Sequence, residues 1–221
     1  MNTLTVLMFI YLKYSKQGYE ISVVGESQNT ARYIGVNIKK VIIAEDVTSI
    51  DTYAYDGYSG MTSIVIPDSV TYMGKDAFSR CSGLTSVVIG NGVTKIGKCA
   101  FQECKKLTSV VIGNGVKDIG ESAFEDCEKL TSVVIPDSVT NIDFYVFKNC
   151  KSLTSIVIPD SVTHLGIEAF YGCSGLTSVV IGKGLTSIRK GTFYGCKGLT
   201  SMILPDCVDY IAKDAFRGCS G

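Results

Sequence analysis

The sequence predicts an α/β repeat protein, a curved solenoid with a parallel β-sheet on its concave face and a return path of short strands, turns and short helical turns. Three observations predict it. Phenylalanine stands at 78, 101, 124, 147, 170, 193 and 216, a constant step of 23 residues. Cysteine keeps that step at 81, 104, 127, 150, 173, 196 and 219, and leucine keeps it from 84 to 199. The ten residues CSGLTSVVIG at 81–90 return as CKKLTSVVIG at 104–113 and CEKLTSVVIP at 127–136.

Residues 1–37 do not fit the columns and are predicted to form a β-rich N-terminal cap, in which YEISVVGES at 19–27 reads as a strand ending in a turn. The apolar run from Leu4 to Leu12 is far shorter than the roughly 20 residues a spanning helix needs, so no transmembrane segment is expected. A cleaved signal remains the other reading of that run. Against it, Lys13 and Lys16 follow the run instead of preceding it, and no small-x-small cleavage site is present.

From 38 to 221 the sequence divides into eight 23-residue units, the first of them degenerate, with Tyr55 in the phenylalanine column and Tyr58 in the cysteine column. Within a unit, Leu84, Val87 and Ile89 have the spacing of an inward-facing strand rich in β-branched residues. A chain-reversing pair follows, Asn91-Gly92 in that unit and Pro136-Asp137 two units on. Val93 and Ile96 then point inward on the return path, Ala100-Phe101 anchors the helical turn, and Cys104 closes the coil. One coil alone has too little apolar surface to offset the ordering of its residues, so stability must come from stacking. Eight strands at the usual spacing make a sheet about 38 Å long.

The column set L-x-x-[VI]-x-I-P-x-S-V-T-x-I-G-x-x-A-F-x-x-C closely resembles the BspA-like leucine-rich repeat family, over residues 38–221. The resemblance implies a leucine-rich-repeat solenoid whose usual owners are bacterial or protozoan surface proteins. For some members it also implies adhesion, binding of host matrix proteins and co-aggregation.

Nine cysteines raise the question of disulfides or metal. There is no C-x-x-C, and the single histidine, His164, lies in a variable column, so no zinc pattern is present. Thiols stacked one strand spacing apart have parallel Cβ vectors poorly aimed at one another, and seven cannot pair completely. They read as small buried fillers of a tight corner. Cys99 and Cys207 fall outside that column and are the expected exposed, reactive pair.

The chemistry of catalysis is missing. VVIGNG at 87–92 has two glycines of a dinucleotide fingerprint, but the third is misplaced and other copies carry Pro-Asp-Ser there. With one histidine, no nucleophile and base can be assembled. No cofactor, metal or catalytic residue is expected. Lysine plus arginine and aspartate plus glutamate number 21 each, so no overall field favours nucleic acid.

The expected function is therefore protein binding, and the alternation of a strand locates the surface. Outward positions form a serine column that includes Ser86, Ser109 and Ser132. Beside it runs a valine column, Val65, Val88, Val111, Val134, Val157 and Val180. A second candidate patch is Tyr171, Tyr194, Tyr210 and Arg217, residue types favoured at interfaces and gathered toward the C-terminal end. The leading expectation is a non-enzymatic binding and adhesion module, cell-surface or secreted, whose partner is a host matrix protein or another cell's surface protein. The alternative is an intracellular scaffold with reduced cysteines. The next leucine of the repeat would fall at 222. The expectation there is an uncapped end, belonging to a fragment of a longer protein or self-associating with another chain.

Overall fold

The computed structural model describes residues 10–15, 18–23 and 40–220. Each coil contributes one strand to a first parallel ladder. These strands are β3 (Lys40–Ile42), β5 (Ser63–Ile66), β7 (Ser86–Ile89), β9 (Ser109–Val111) and β11 (Ser132–Val134), then β13 (Ser155–Ile158) and β15 (Ser178–Ile181). The pairing places Ser63 opposite Ser86 and Val87 opposite Val110, one repeat apart. Alternation fixes this register, because slipping by one residue would turn the buried Ile64, Val87 and Val110 out and the exposed Val65, Val88 and Val111 in. The ladder is interrupted once: β11 ends a seven-stranded sheet, and β13 and β15 pair with each other in a separate one.

Upstream, β1 (Ile10–Ser15) and β2 (Gly18–Val23) form an antiparallel hairpin, and β2 runs parallel to β3, with Ile21 opposite Val41. The strand expected within 19–27 is thus found at Gly18–Val23; apart from β1 and β2, the segment read as a cap lies outside the described residues.

The return path carries a second, shorter ladder. Strands β8 (Lys95–Ile96), β10 (Asp118–Ile119), β12 (Asn141–Ile142) and β14 (His164–Leu165) form a four-stranded parallel sheet with the inward residue always second. Its members outside that sheet are β4 (Ser49–Ile50) with β6 (Tyr72–Met73), and β16 (Ser187–Ile188) with β17 (Tyr210–Ile211), each two paired in parallel.

On the third side the expected helical turn takes another form. Among the described residues there is no helix, and the segment is a succession of tight turns. Every second N–H reaches into the next coil: Asp76 donates to Lys98 O at 2.8 Å, Phe78 to Ala100 O at 2.8 Å and Arg80 to Gln102 O at 2.7 Å. A helix would use those donors within its own segment. A coil stacked one strand spacing away presents carbonyls to every turn, and the inter-coil bonds win. The winding needs two columns of left-handed backbone. One includes Asp76, Cys99, Ser122 and Glu168; the other runs Arg80, Glu103, Asp126, Asn149, Gly172, Gly195 and Gly218, with φ from 57° to 77°.

The core is one continuous column inside the three walls. Leu84, Val87, Ile89, Val93, Ile96, Ala100, Phe101 and Cys104 are all buried, and the same positions recur coil after coil. From Tyr55 to Phe216 the rings of the phenylalanine column stack face to face, as in Phe78 on Phe101 at 5.2 Å and 3° and Phe124 on Phe147 at 5.6 Å and 5°. A single coil has no one to stack against, which is why the repeat is the unit of sequence and the pair of coils the unit of stability.

Candidate interaction surface

The outer face of the first ladder is a lattice of small side chains. Val65, Val88, Val111, Val134, Val157 and Val180 are all exposed, from 39% at Val88 to 76% at Val134. They form one apolar stripe up the stack. Beside it, Ser109 and Ser132 are exposed and Ser86 half-buried. Their hydroxyls bond to nothing among the described residues. The neighbouring threonines differ: Thr85 donates to Thr62 O at 2.8 Å, Thr108 to Thr85 O at 2.9 Å and Thr131 to Thr108 O at 3.1 Å. Threonine thus braces the ladder from outside and serine leaves its hydroxyl free. The bracing column was not singled out from the sequence, although its signal, an unvarying threonine before the serine, was in view.

The second predicted patch separates into two parts. Tyr171 and Tyr194 stack at 4.7 Å and 4°, with the Arg217 guanidinium 5.8 Å from the Tyr194 ring centre. Lys148 closes the other end, 5.8 Å from Tyr171 and 5.0 Å from Tyr145, while its ammonium meets Glu125 at 3.2 Å. The result is an inter-coil ladder of the turn wall, in which the ring faces are occupied by one another and by cations. Tyr210 stands elsewhere, exposed in β17 on the second ladder. It does not share a wall with the other three because it precedes the phenylalanine of its coil, whereas Tyr171 and Tyr194 immediately follow theirs.

The thiol column has a role beyond filling. Cys104 donates to Phe78 O at 3.2 Å, Cys127 to Phe101 O at 3.2 Å and Cys150 to Phe124 O at 3.3 Å, each across 26 residues. All nine cysteines are free thiols. Burial pushes the Cys127 and Cys150 thiols well up from their usual range and Cys196 up to about 12. The expectation for Cys99 fails: it is buried, and desolvation, helped by the nearby Asp76 carboxylate, pushes its thiol up to about 11. Its backbone sits in the left-handed row of the turn wall, at φ 55°. Cys207 is half-buried, its thiol 3.3 Å from Leu185 O. Burial and the Arg189 charge lower the His164 pKa.

Among the described residues no three His, Cys, Asp or Glu side chains are grouped to hold a metal ion. No described helix is long and apolar enough to cross a membrane. A cleft of about 450 Å³ opens beside β15, between Val180 and Ile181 on one wall and Met202, Ile203 and Pro205 on the other.

Parallel strands, a buried leucine, phenylalanine and cysteine column and a 23-residue coil define a leucine-rich-repeat protein of the β-solenoid kind. The chain belongs to the BspA-type leucine-rich repeat family: the profile of the BspA type leucine rich repeat region, six copies long, matches residues 28–154 and again 141–221. Among solved structures it is similar to the leucine-rich repeat protein of T. pallidum, with 24% identity over 94% of this chain and 92% of that one and a TM-score of 0.70. A leucine rich cell surface protein from Faecalibacterium prausnitzii aligns at 18% identity over 97% of this chain and 87% of that one, with a TM-score of 0.42. A leucine-rich repeat protein from Bacteroides ovatus aligns at 24% identity over 99% and 80%, with a TM-score of 0.39. No curated protein sequence matches the chain.

Proposed function

We propose that this chain is a non-enzymatic protein-binding module of a cell-surface or secreted leucine-rich repeat protein, acting through the outer face of its first ladder. One observation carries the reading: an exposed valine stripe flanked by unpartnered serine hydroxyls, held on a stack of parallel strands that threonine hydroxyls brace in several coils. Exposed contiguous apolar surface on an ordered sheet marks an interaction site. The partner is a host matrix protein or a surface protein of another cell, and the hairpin β1–β2 serves as the N-terminal cap of the stack.

The test is saturable binding of the purified chain to immobilised matrix proteins, with protease treatment of intact source cells to locate it. Binding that Val134→Lys weakens, together with loss of the protein from intact cells, supports the reading. Protection until lysis favours the second reading, an intracellular scaffold, which the nine free thiols recommend. Replacing Tyr171 and Tyr194 by alanine should leave that affinity unchanged, because their faces are already occupied.

A further inference from the structure

The valine and serine columns offer the same seat at every coil, so they cannot choose where along the stack a partner lies. The charges at the two rims of the face differ from coil to coil and can. Before each strand, the two residues after the column cysteine form one rim; after it, the reversing turn forms the other. In the coil starting at Cys81 these are Ser82-Gly83 and Gly90-Asn91, with no charge. In the next they are Lys105-Lys106 and Gly113-Asn114, with cations alone. The coil starting at Cys173 has Ser174-Gly175 and then Lys183, the opposite sign at the far rim. The two adjacent coils from 127 to 172 both place aspartate after the strand, Asp137 and Asp160; before it the first has Glu128-Lys129, one charge of each sign, and the second has Lys151, whose ammonium pairs with Glu128 and leaves Lys129 as the uncompensated cation of that rim. The coil from 196 repeats these signs with Lys197 and Asp206, but its residues 200–204 form no strand.

Two further observations fall on the same coil. Val134 is the most exposed valine of the stripe, at 76%, and it stands where the ladder is interrupted between β11 and β13. Lys129 and Asp137 on either side of it are exposed and paired with nothing among the described residues. Their counterparts are partly engaged: Lys151 meets Glu128 at 3.3 Å, and Asp160 accepts the Lys183 N–H at 2.7 Å. Two free opposite charges, separated along the strand direction by an exposed apolar centre, present an electrical polarity that a complementary segment would satisfy.

We propose that the face around Val134 and Val157 takes an extended polypeptide segment of a partner protein, apolar at its centre, acidic at the end over Lys129, where Lys151 already neutralises Glu128, and basic at the end over Asp137 and Asp160. At about 3.3 Å per residue, a segment of roughly eight residues spans the interval from Lys129 to Asp137. This rests on the binding reading above and deepens it: the stripe supplies burial, and the rims supply direction and position along the stack.

The experiment uses the whole 221-residue chain. A random twelve-residue peptide library displayed on phage is selected on the immobilised protein, and enriched sequences are synthesised and measured by fluorescence anisotropy. The expected peptides carry an acidic end, an apolar centre and a basic end. Val134→Lys should weaken them roughly tenfold, as for the loss of a central contact, and Lys129→Glu with Asp137→Lys should favour the peptide of inverted charge order. All three positions are exposed, so melting temperatures should stay at the parental value and the comparison concerns binding alone. Peptides that depend on Val134 but show no charge order, or that bind equally at low and high salt, overturn this inference and leave the proposed function standing. Enriched peptides indifferent to Val134→Lys, or no enrichment at all, overturn both.

Discussion

Replacing Phe124 by alanine tests what holds the stack together. The ring is fully buried between Phe101 at 5.4 Å and Phe147 at 5.6 Å. Its neighbours cannot close the gap, because each is itself held by a further ring and by inter-coil hydrogen bonds on both sides. A phenylalanine lost from such a site costs about 3–5 kcal/mol, a figure that already includes its ring contacts. The damage falls on two coil interfaces at once, since each coil touches only the next. The same substitution at Phe216, half-buried against Phe193 at 5.5 Å, should cost roughly half as much. Urea unfolding followed by circular dichroism gives both values, and hydrogen exchange shows whether protection is lost first around 101–147. Equal losses at 124 and 216, or a loss below about 1 kcal/mol at 124, would refute the view that the ring column carries the stack.

Three further outcomes follow from the same geometry. Ellman's reagent on the native protein should modify Cys207 and Cys219 before Cys104, Cys127, Cys150 or Cys173, which are sealed in the core; early modification of Cys127 would contradict the packing. Burial raises the folded pKa of Cys196 from 9.0 to about 12, so the stability it contributes is fully present below about pH 9 and is lost as pH rises toward the folded value. The urea midpoint should therefore fall above pH 9, and fall less in Cys196→Ala. Gly113→Ala would place a methyl 2.4 Å from the carbonyl oxygen of Gly90 and should cost at least about 2 kcal/mol. Gly195→Ala, at φ +71° with its nearest contact at 3.8 Å, should cost only the backbone strain of about 1 kcal/mol, and similar melting temperatures for the two would refute the distinction.

The coil length, the parallel register and the buried columns could all be read from the sequence because repetition amplifies them: one leucine is ambiguous, and a leucine recurring every 23 residues is not. The second ladder was harder to see. Two residues such as Lys95-Ile96 have no periodicity of their own and become a strand only because the equivalent pair of the next coil, Asp118-Ile119, lies alongside. The turn wall failed for a related reason. Ala100-Phe101 looks like a helical anchor until the stacked carbonyls compete for its N–H groups. A signal was nevertheless present, since Asp126, Asn149, Gly172, Gly195 and Gly218 in one column are residues suited to positive φ. The cysteine hydrogen bond was invisible because the acceptor is a main-chain oxygen 26 residues away. Alternation told which valines of the first ladder are exposed. It could not tell that Tyr210 faces a different wall from Tyr171, because that depends on where each lies around the three-sided coil.

The constant 23-residue register makes the molecule editable in whole steps. Cutting out residues 104–126 would bring the coil that ends at 103 against the coil that begins at 127, and each would meet the same ring, thiol and strand partners it has now. A duplication would be equally silent. Recombination between near-identical copies can therefore lengthen or shorten this scaffold without a folding defect, so reach becomes a heritable quantity that changes by about 4.8 Å per event.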